Sequence, residues 1–109
     1  MGYQFHSVWL LALALAGPTW ASEPQTVKLV LGAKGFEPPQ IEISAGASFR
    51  LEVTNQSSEA GEFESFDLNR ERVMQPGQTV SVYVSGLQPG QYEFFDDFNQ
   101  TRRGVLIVK

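Results

Sequence analysis

Apolar side chains recur at every second position through most of this chain, and that period constrains the fold more than any other feature. In residues 48–54 and 79–85, apolar and polar side chains alternate strictly, as they do in half-buried strands. Pro-Gly pairs within residues 75–78 and 88–91 supply tight turns. No segment has a sustained helical period. We expect an all-β domain, an antiparallel Greek-key β-sandwich of roughly seven to eight short strands.

The first residues have a different composition and read as a targeting segment. An uncharged apolar run over residues 8–16 is followed by Gly17-Pro18 and then by Thr19-Trp20-Ala21. Small residues at 19 and 21 suit signal-peptidase cleavage, and the run is too short to span a bilayer comfortably. We therefore predict a signal peptide over 1–21 and one secreted, periplasmic domain over 22–109. An uncleaved membrane anchor is the alternative.

Charge and missing residue types exclude several classes of function. The formal net charge is −4, with 12 acidic and 8 basic residues. This balance argues against nucleic acid, whose phosphates need clustered Lys and Arg, and it fits a cation or a basic partner. The chain has no Cys, and its single His is His6, inside the predicted signal peptide. A blue-copper site, a structural zinc site and a disulfide framework are therefore excluded.

Glu62 and Glu64 form the first candidate constellation. They are two residues apart, so on a strand both carboxylates leave the same face. Because Phe66 and Leu68 continue this alternation, we expect the face to run from a polar mouth into the core. Two carboxylates on one face raise the pKa of at least one of them unless a cation lies between. A plain solvated strand face is the alternative.

Further acidic residues stand beside a predicted polar loop and among arginines. Asp96-Asp97 lies where the strand over residues 92–95 enters that loop, and it could equally cap a turn. Within the loop, Arg102-Arg103 could pair with carboxylates. Asp67 and Glu71, which lie among two other arginines, are explained by local ion pairs.

Three segments, taken in order, carry a family resemblance. These are Phe36-Glu-Pro-Pro-Gln-Ile-Glu-Ile-Ser-Ala-Gly46, the Asn55-Gln-Ser loop leading into Glu62-Phe-Glu64, and Leu87-Gln-Pro-Gly-Gln-Tyr92 followed by the terminal Gly104-Val-Leu-Ile-Val-Lys. Together they resemble the cupredoxin-like family, and most closely the EfeO-type domains of bacterial periplasmic iron-uptake systems. The resemblance covers nearly all of residues 26–109.

The resemblance implies a set of metal ligands. The strand with Glu62 and Glu64 would deliver the first ligand, and Asp96 would stand where related domains have a ligand Cys. Glu37 follows Phe36 at a place that resembles a Cys-Glu pair of EfeO-type domains. We therefore predict a carboxylate metal site whose candidate ligands are Glu62, Glu64, Asp96, Asp97 and Glu37. The implied metal is iron, with copper as the alternative.

Two hypotheses of function follow. In the first, the protein is a periplasmic metal-binding component of a ferrous iron uptake system. It would work with a membrane iron permease or another periplasmic uptake component, and a role in Fe(II) oxidation is compatible with carboxylate ligands. In the second, it is a metal-free cupredoxin-like interaction module whose acidic end docks a transporter component. Hydrolytic catalysis lacks support, because the mature chain has no His or Cys to act as base or nucleophile.

Overall fold

The structure is a computed structural model that describes residues 24–109, and it is built entirely from strands. Within these residues there is no helix, and hence none that could cross a membrane. The predicted signal peptide over 1–21 lies outside the described residues. The nine strands are β1 (Gln25–Leu31), β2 (Phe36–Glu37), β3 (Gln40–Ile43), β4 (Ser48–Asn55), β5 (Gly61–Ser65), β6 (Arg70–Met74), β7 (Thr79–Ser85), β8 (Gly90–Asp96) and β9 (Asn99–Val108).

The strands form two sheets, and the predicted β-sandwich class is confirmed. One sheet has the order β2-β1-β4-β7 and the other has the order β3-β9-β8-β5-β6. Both sheets are mixed rather than purely antiparallel, because β1 pairs with β4 and β3 pairs with β9 in parallel. Parallel neighbours need a crossover connection. Between β1 and β4 the chain passes through β3 of the other sheet, which provides one.

The core lies between the sheets and follows the alternation in the sequence. On β4 the side chains of Phe49, Leu51 and Val53 are buried, and three alternate valines of the neighbouring strand β7 lie beside them on the same inner face of the sheet. Phe63 of β5 and Phe94 of β8 stack with their ring centroids 5.3 Å apart. Aromatic pairs of this kind add stability beyond the apolar area that they bury. The predicted inward faces of β4 and β7 are confirmed.

Two hairpins depart from the predicted elements, and both carry candidate site residues. The predicted strand over 62–68 ends at Ser65, and a turn over 66–69 leads into β6, a strand that was not predicted. The predicted polar loop after Asp96 is instead a two-residue turn, Asp97-Phe98, and β9 already begins at Asn99 rather than at 104. Side chains predicted to lie on one loop therefore alternate between the two faces of a strand.

The polar loop after β4 is held by one buried amide. Asn55 donates from Nδ2 to the carbonyl oxygens of Glu59 (2.9 Å) and Met74 (3.1 Å). Its Oδ1 accepts from both the backbone N–H and the hydroxyl of Ser57. These bonds give the backbone of the loop partners inside the protein, as buried polar groups require.

Two arginines join the open edges of the sheets. β6 and β7 are edge strands of different sheets. Arg70 donates from Nε to the carbonyl oxygen of Tyr83 at 3.1 Å, and Arg72 donates from Nη1 to that of Ser81 at 2.6 Å. Both acceptors belong to β7, so part of its free edge is satisfied by side chains, one of the ways in which proteins protect exposed edges.

Candidate metal centre

Three of the predicted ligands lie together on the outer face of the second sheet. Glu62 and Glu64 project from β5, and Asp97 lies in the β8–β9 turn beside them. One carboxylate oxygen of each lies within 4.8 Å of the others. The backbone N–H of Asp97 donates to the carbonyl oxygen of Glu62 at 3.0 Å, so the turn is bonded to the strand. The spacing is small enough for one cation to contact all three side chains.

Glu71 is a fourth acid at this place, although its position among arginines predicted only local ion pairing. It lies directly opposite Glu64 in the antiparallel β5–β6 pair. We call Glu62, Glu64, Glu71 and Asp97 the acid cluster. A hairpin with its turn at residues 66–69 would pair Glu71 with Glu64. This pairing can be predicted from the sequence only if β6 is predicted as a strand.

The prediction that local ion pairs explain Asp67 and Glu71 is wrong. No salt bridge within residues 24–109 involves either of them or any other member of the acid cluster. Adjacent residues on a strand point to opposite faces, so Arg70 and Arg72 turn away from Glu71 and bond to β7. Asp67 instead accepts the backbone N–H of Glu93 at 2.8 Å. The acids of the cluster thus face one another without a basic side chain between them.

The electrostatics of the cluster are those of crowded like charges. Desolvation raises the pKa of Glu62, and the negative charges of Glu71 and Asp97 raise it further. The pKa of Glu64 is also raised, first by desolvation and then by its hydrogen bond and charge interaction with Glu71. Every interaction acting on these two carboxyls disfavours the ionised form. A cation placed among them would reverse this effect.

The expected direction of this strand is also wrong. The residues of β5 that face the core are Gly61, Phe63 and Ser65, whereas Glu62 and Glu64 lie on the half-exposed outer face. Phe66, expected to continue inward, is 76% exposed, whereas Leu68 is buried as expected. Because the side-chain period of a strand is two, an error of one residue in assigning the buried set exchanges the faces. The acid cluster therefore opens to solvent across the sheet.

Asp96 is separate from the cluster although it is next to Asp97 in sequence. Its side chain is fully buried and forms a salt bridge with Arg102, with 3.2 Å between Oδ2 and Nη1. Arg103, one residue later, points outward and pairs with Glu93 at 3.3 Å. The expectation that these two arginines pair with carboxylates is confirmed. The carboxylate of Asp96 is already occupied by partners within the protein.

Glu37 does not lie near the acid cluster. It is an exposed residue on β2, the edge strand of the other sheet, where it pairs with Val30 of β1. Its neighbour Phe36 is buried in the core, 5.1 Å from Phe94 between ring centroids. Of the five predicted ligands, the structure brings together Glu62, Glu64 and Asp97.

The donor set decides which metals fit this geometry. Carboxylates are hard oxygen ligands that suit iron, manganese, calcium or magnesium. A blue-copper centre needs thiolate and imidazole, and residues 24–109 contain neither Cys nor His. The acid cluster therefore fits a hard cation and does not fit blue copper.

The sequence of the chain matches the model of one protein family over almost its whole length. The model of the family described as "Cupredoxin-like domain" matches residues 5–108. The chain belongs to the cupredoxin-like family. This confirms the resemblance carried by the turn motifs at the level of the domain family.

One curated relative of this cupredoxin-like chain is an uncharacterized protein of Rickettsia prowazekii (strain Madrid E). The two are 36% identical over 83 residues, which is 75% of this chain and 66% of the relative. The chain thus spans slightly less than two thirds of the relative's length, so the relative has further sequence that the match does not include.

Solved structures share the cupredoxin fold at low identity. The metal-binding domain of the Cu(I)-exporting P-type ATPase CopA of Streptococcus pneumoniae D39, solved with Cu(I), matches with a TM-score of 0.73 and 13% identity over 84% of this chain and 91% of that one. Auracyanin A, a blue copper protein of Chloroflexus aurantiacus, matches with a TM-score of 0.65 and 16% identity over 80% and 100% of the two chains. These likenesses extend to the fold alone.

Proposed function

We propose that this cupredoxin-like protein binds a hard metal cation through the acid cluster on the outer face of its second sheet. The observation that carries the proposal is the convergence of Glu62, Glu64 and Asp97 within 4.8 Å, with no salt bridge to any of them within residues 24–109. Glu71 supplies a fourth carboxylate. Like charges directly opposite one another destabilise a sheet, and a cation bound between them would remove that repulsion.

Iron is the metal that we propose first, and copper second. All the donors are carboxylate oxygens, which favour hard ions and favour Fe(III) over Fe(II). The matched structures include copper proteins, and this likeness keeps Cu(II) as the alternative. The soft ion Cu(I) is disfavoured because Met74, the only thioether sulfur in residues 24–109, is fully buried in the core.

The proposed setting is ferrous iron uptake in the periplasm. The predicted signal peptide over 1–21 would deliver the domain there, and the EfeO-type resemblance points to a membrane iron permease or another periplasmic uptake component as partner. Bound at the cluster, iron would be held by ligands that stabilise its oxidised form. The cluster would then assist Fe(II) oxidation during uptake, and oxygen consumption with Fe(II) tests this step. No acceleration over buffer would remove the redox role and leave binding intact.

The test of binding is an anaerobic calorimetric titration of residues 22–109 with Fe(II), repeated with Cu(II), Mn(II) and Ca(II). We expect saturable one-to-one binding of iron that Glu64→Gln weakens. Glu37→Gln is the matched control, because it removes the same charge from an exposed strand residue outside the cluster. If Glu64→Gln and Glu37→Gln both bind as tightly as the wild type, the acid cluster is not the site. If no ion binds at all, the proposal fails.

Exposed apolar side chains beside the cluster favour a second candidate function, a metal-free docking module. Phe98 follows Asp97 in the turn and is 56% exposed, and Val73, which lies opposite Glu62, is 48% exposed. Acidic side chains flanked by exposed apolar ones could bind a basic segment of a transporter component through both charge and apolar contacts. In that case no metal saturates, and a complex forms that weakens at about 0.5 M salt, where exposed charges are screened.

A further inference from the structure

The buried carboxylate of Asp96 lies behind the acid cluster and bonds to both elements that carry it. Its Oδ1 accepts the backbone N–H of Glu62 at 2.9 Å and that of Phe98 at 3.0 Å. The first donor belongs to β5 and the second to the β8–β9 turn, immediately after Asp97. One oxygen atom thus fixes the backbone on both sides of the gap between the Glu62 and Asp97 side chains.

Arg102 holds this carboxylate from the other side. Its Nη1 contacts Asp96 Oδ2 at 3.2 Å, and its Nε donates to the carbonyl oxygen of Ala33 at 3.1 Å. The guanidinium therefore connects the β1–β2 turn to the end of β8. With Arg102 only 7% exposed and Asp96 fully buried, the pair is shielded from solvent. Hydrogen bonds between charged groups are stronger than those between neutral groups.

A glycine makes room for the arrangement. A Cβ atom at Gly61 would lie 2.5 Å from Cδ2 of Leu31 and 3.4 Å from Oδ2 of Asp96. Any other residue there would press on the Leu31 side chain and place its Cβ in van der Waals contact with the carboxylate. Gly61 thus leaves space for the Asp96 carboxylate, and Arg102 pairs with it, so that one buried anion lies directly behind the cluster.

We infer that Asp96, held by Arg102, is a positioning residue for the acid cluster, an inference that rests on the proposed metal-binding function. Crowded carboxylates tend to move apart. The bonds from Asp96 Oδ1 to the two backbone N–H groups, together with the bond from Asp97 N–H to Glu62 O, oppose that movement. Supporting residues behind metal ligands typically change metal affinity by about 10- to 100-fold when removed. Asp96 itself contributes no ligand atom.

Arg102→Met is the principal test variant, with Arg103→Met as its matched control. Both remove one positive charge from β9, but Arg103 lies on the outer face in an exposed pair with Glu93. The first readout is anaerobic Fe(II) affinity by calorimetry. The second, which needs no metal, is NMR hydrogen exchange of the Glu62 and Phe98 amides measured against the core amides of β4. A purely structural role would change exchange throughout the fold alike.

The expected result is a loss of Fe(II) affinity of about tenfold or more in Arg102→Met, faster exchange confined to the Glu62 and Phe98 amides, and wild-type behaviour of Arg103→Met. If Arg102→Met does not fold, the double variant Asp96→Leu/Arg102→Met replaces both buried charges with apolar groups, an exchange that folds often tolerate. It should show the same losses.

Two results separate the inference from the function on which it rests. If the wild type binds iron and Arg102→Met or the double variant binds it equally well, the positioning role is overturned and metal binding stands. If the wild type binds no cation, the proposed function fails. The role of Asp96 is then tested by the hydrogen-exchange rates of the Glu62 and Phe98 amides alone. Selective loss of protection at Glu62 and Phe98 then still shows that Asp96 holds these two segments, whereas unchanged or uniformly faster exchange overturns the inference.

Discussion

Glu64 lies directly opposite Glu71 in the β5–β6 hairpin, so one rung of an antiparallel ladder carries two carboxylates. Like charges in facing positions destabilise a sheet. Here Glu62 and Asp97 add two more charges, and the arginines on either side of Glu71 bond to the other sheet instead. The metal-free fold therefore carries a local cost at the place where a cation would remove it.

This cost predicts that Glu71→Gln stabilises the metal-free protein. Removing one of two facing charges should raise the free energy of unfolding at neutral pH by up to about 1 kcal/mol. Urea denaturation in the presence of a chelator measures it. Glu37→Gln is the control and should change stability little, because Glu37 is exposed and outside the cluster. A destabilised Glu71→Gln protein would show that the facing carboxylates do not repel.

The raised pKa values of Glu62 and Glu64 predict a pH dependence of stability with a definite sign. The ordinary carboxyl value is 4.5, and the folded chain holds these two protons more tightly than the unfolded chain does. Between 4.5 and the raised pKa the folded state binds more protons, so its free energy of unfolding falls as the pH rises. Below 4.5, where both states are protonated, this loss is absent.

Urea denaturation of the wild type and of Glu62→Gln/Glu64→Gln over about pH 4 to 8 measures this effect. The variant should gain stability relative to the wild type as the pH rises through the window, and the difference should then level off. A difference that does not change with pH would contradict the raised values. Metal affinity should move in the opposite direction and weaken below about pH 5, because carboxylates must lose their protons to bind a cation.

Asn55→Ala should be among the most destabilising polar substitutions in the domain. It removes two bonds from Nδ2 to carbonyl oxygens and two bonds to Oδ1, all around a buried amide. Leaving buried backbone groups without partners costs roughly 1–3 kcal/mol. Thermal and urea unfolding measure the loss, with Gln56→Ala, an exposed neighbour, as the control. Equal stability of the two variants would mean that the loop does not depend on Asn55.

The sequence period predicted the sandwich correctly, because alternation and Pro-Gly turns depend only on local chemistry. The family was identified separately, from the resemblance of three motif segments. Phe49, Leu51 and Val53 are buried as expected. The class of the fold followed from such stretches, whereas the two parallel pairings depend on crossovers that no local pattern specifies.

The site was predicted less completely, because its residues come together only through the register in which neighbouring strands pair. Glu71 joins Glu64 only through the pairing of β5 with β6, and that strand was not recognised. Asp96 and Asp97 were expected to act together, but a tight hairpin turns one inward and the other outward. Which face a residue takes depends on a single step of register, and composition carries no information about that step.

The edge of β7 offers a last prediction. Arg70→Gln/Arg72→Gln should expose the carbonyl oxygens of Tyr83 and Ser81 and promote self-association at high protein concentration. Size-exclusion chromatography with light scattering measures it. Arg50→Gln is the control, since Arg50 lies on the inner strand β4 and bonds to Thr26 and Glu52 rather than to a carbonyl oxygen of β7. A double variant that stays monomeric would show that the arginines are not what protects β7.

The same two arginines determine how another protein can approach this side of the molecule. β-Augmentation, in which an extended peptide adds itself as a further strand, needs a row of free backbone acceptors and donors. A peptide that paired with β7 would first have to displace the guanidinium groups of Arg70 and Arg72. Recognition there must proceed through side chains, so specificity would be encoded in the partner's surface chemistry rather than in an extended backbone.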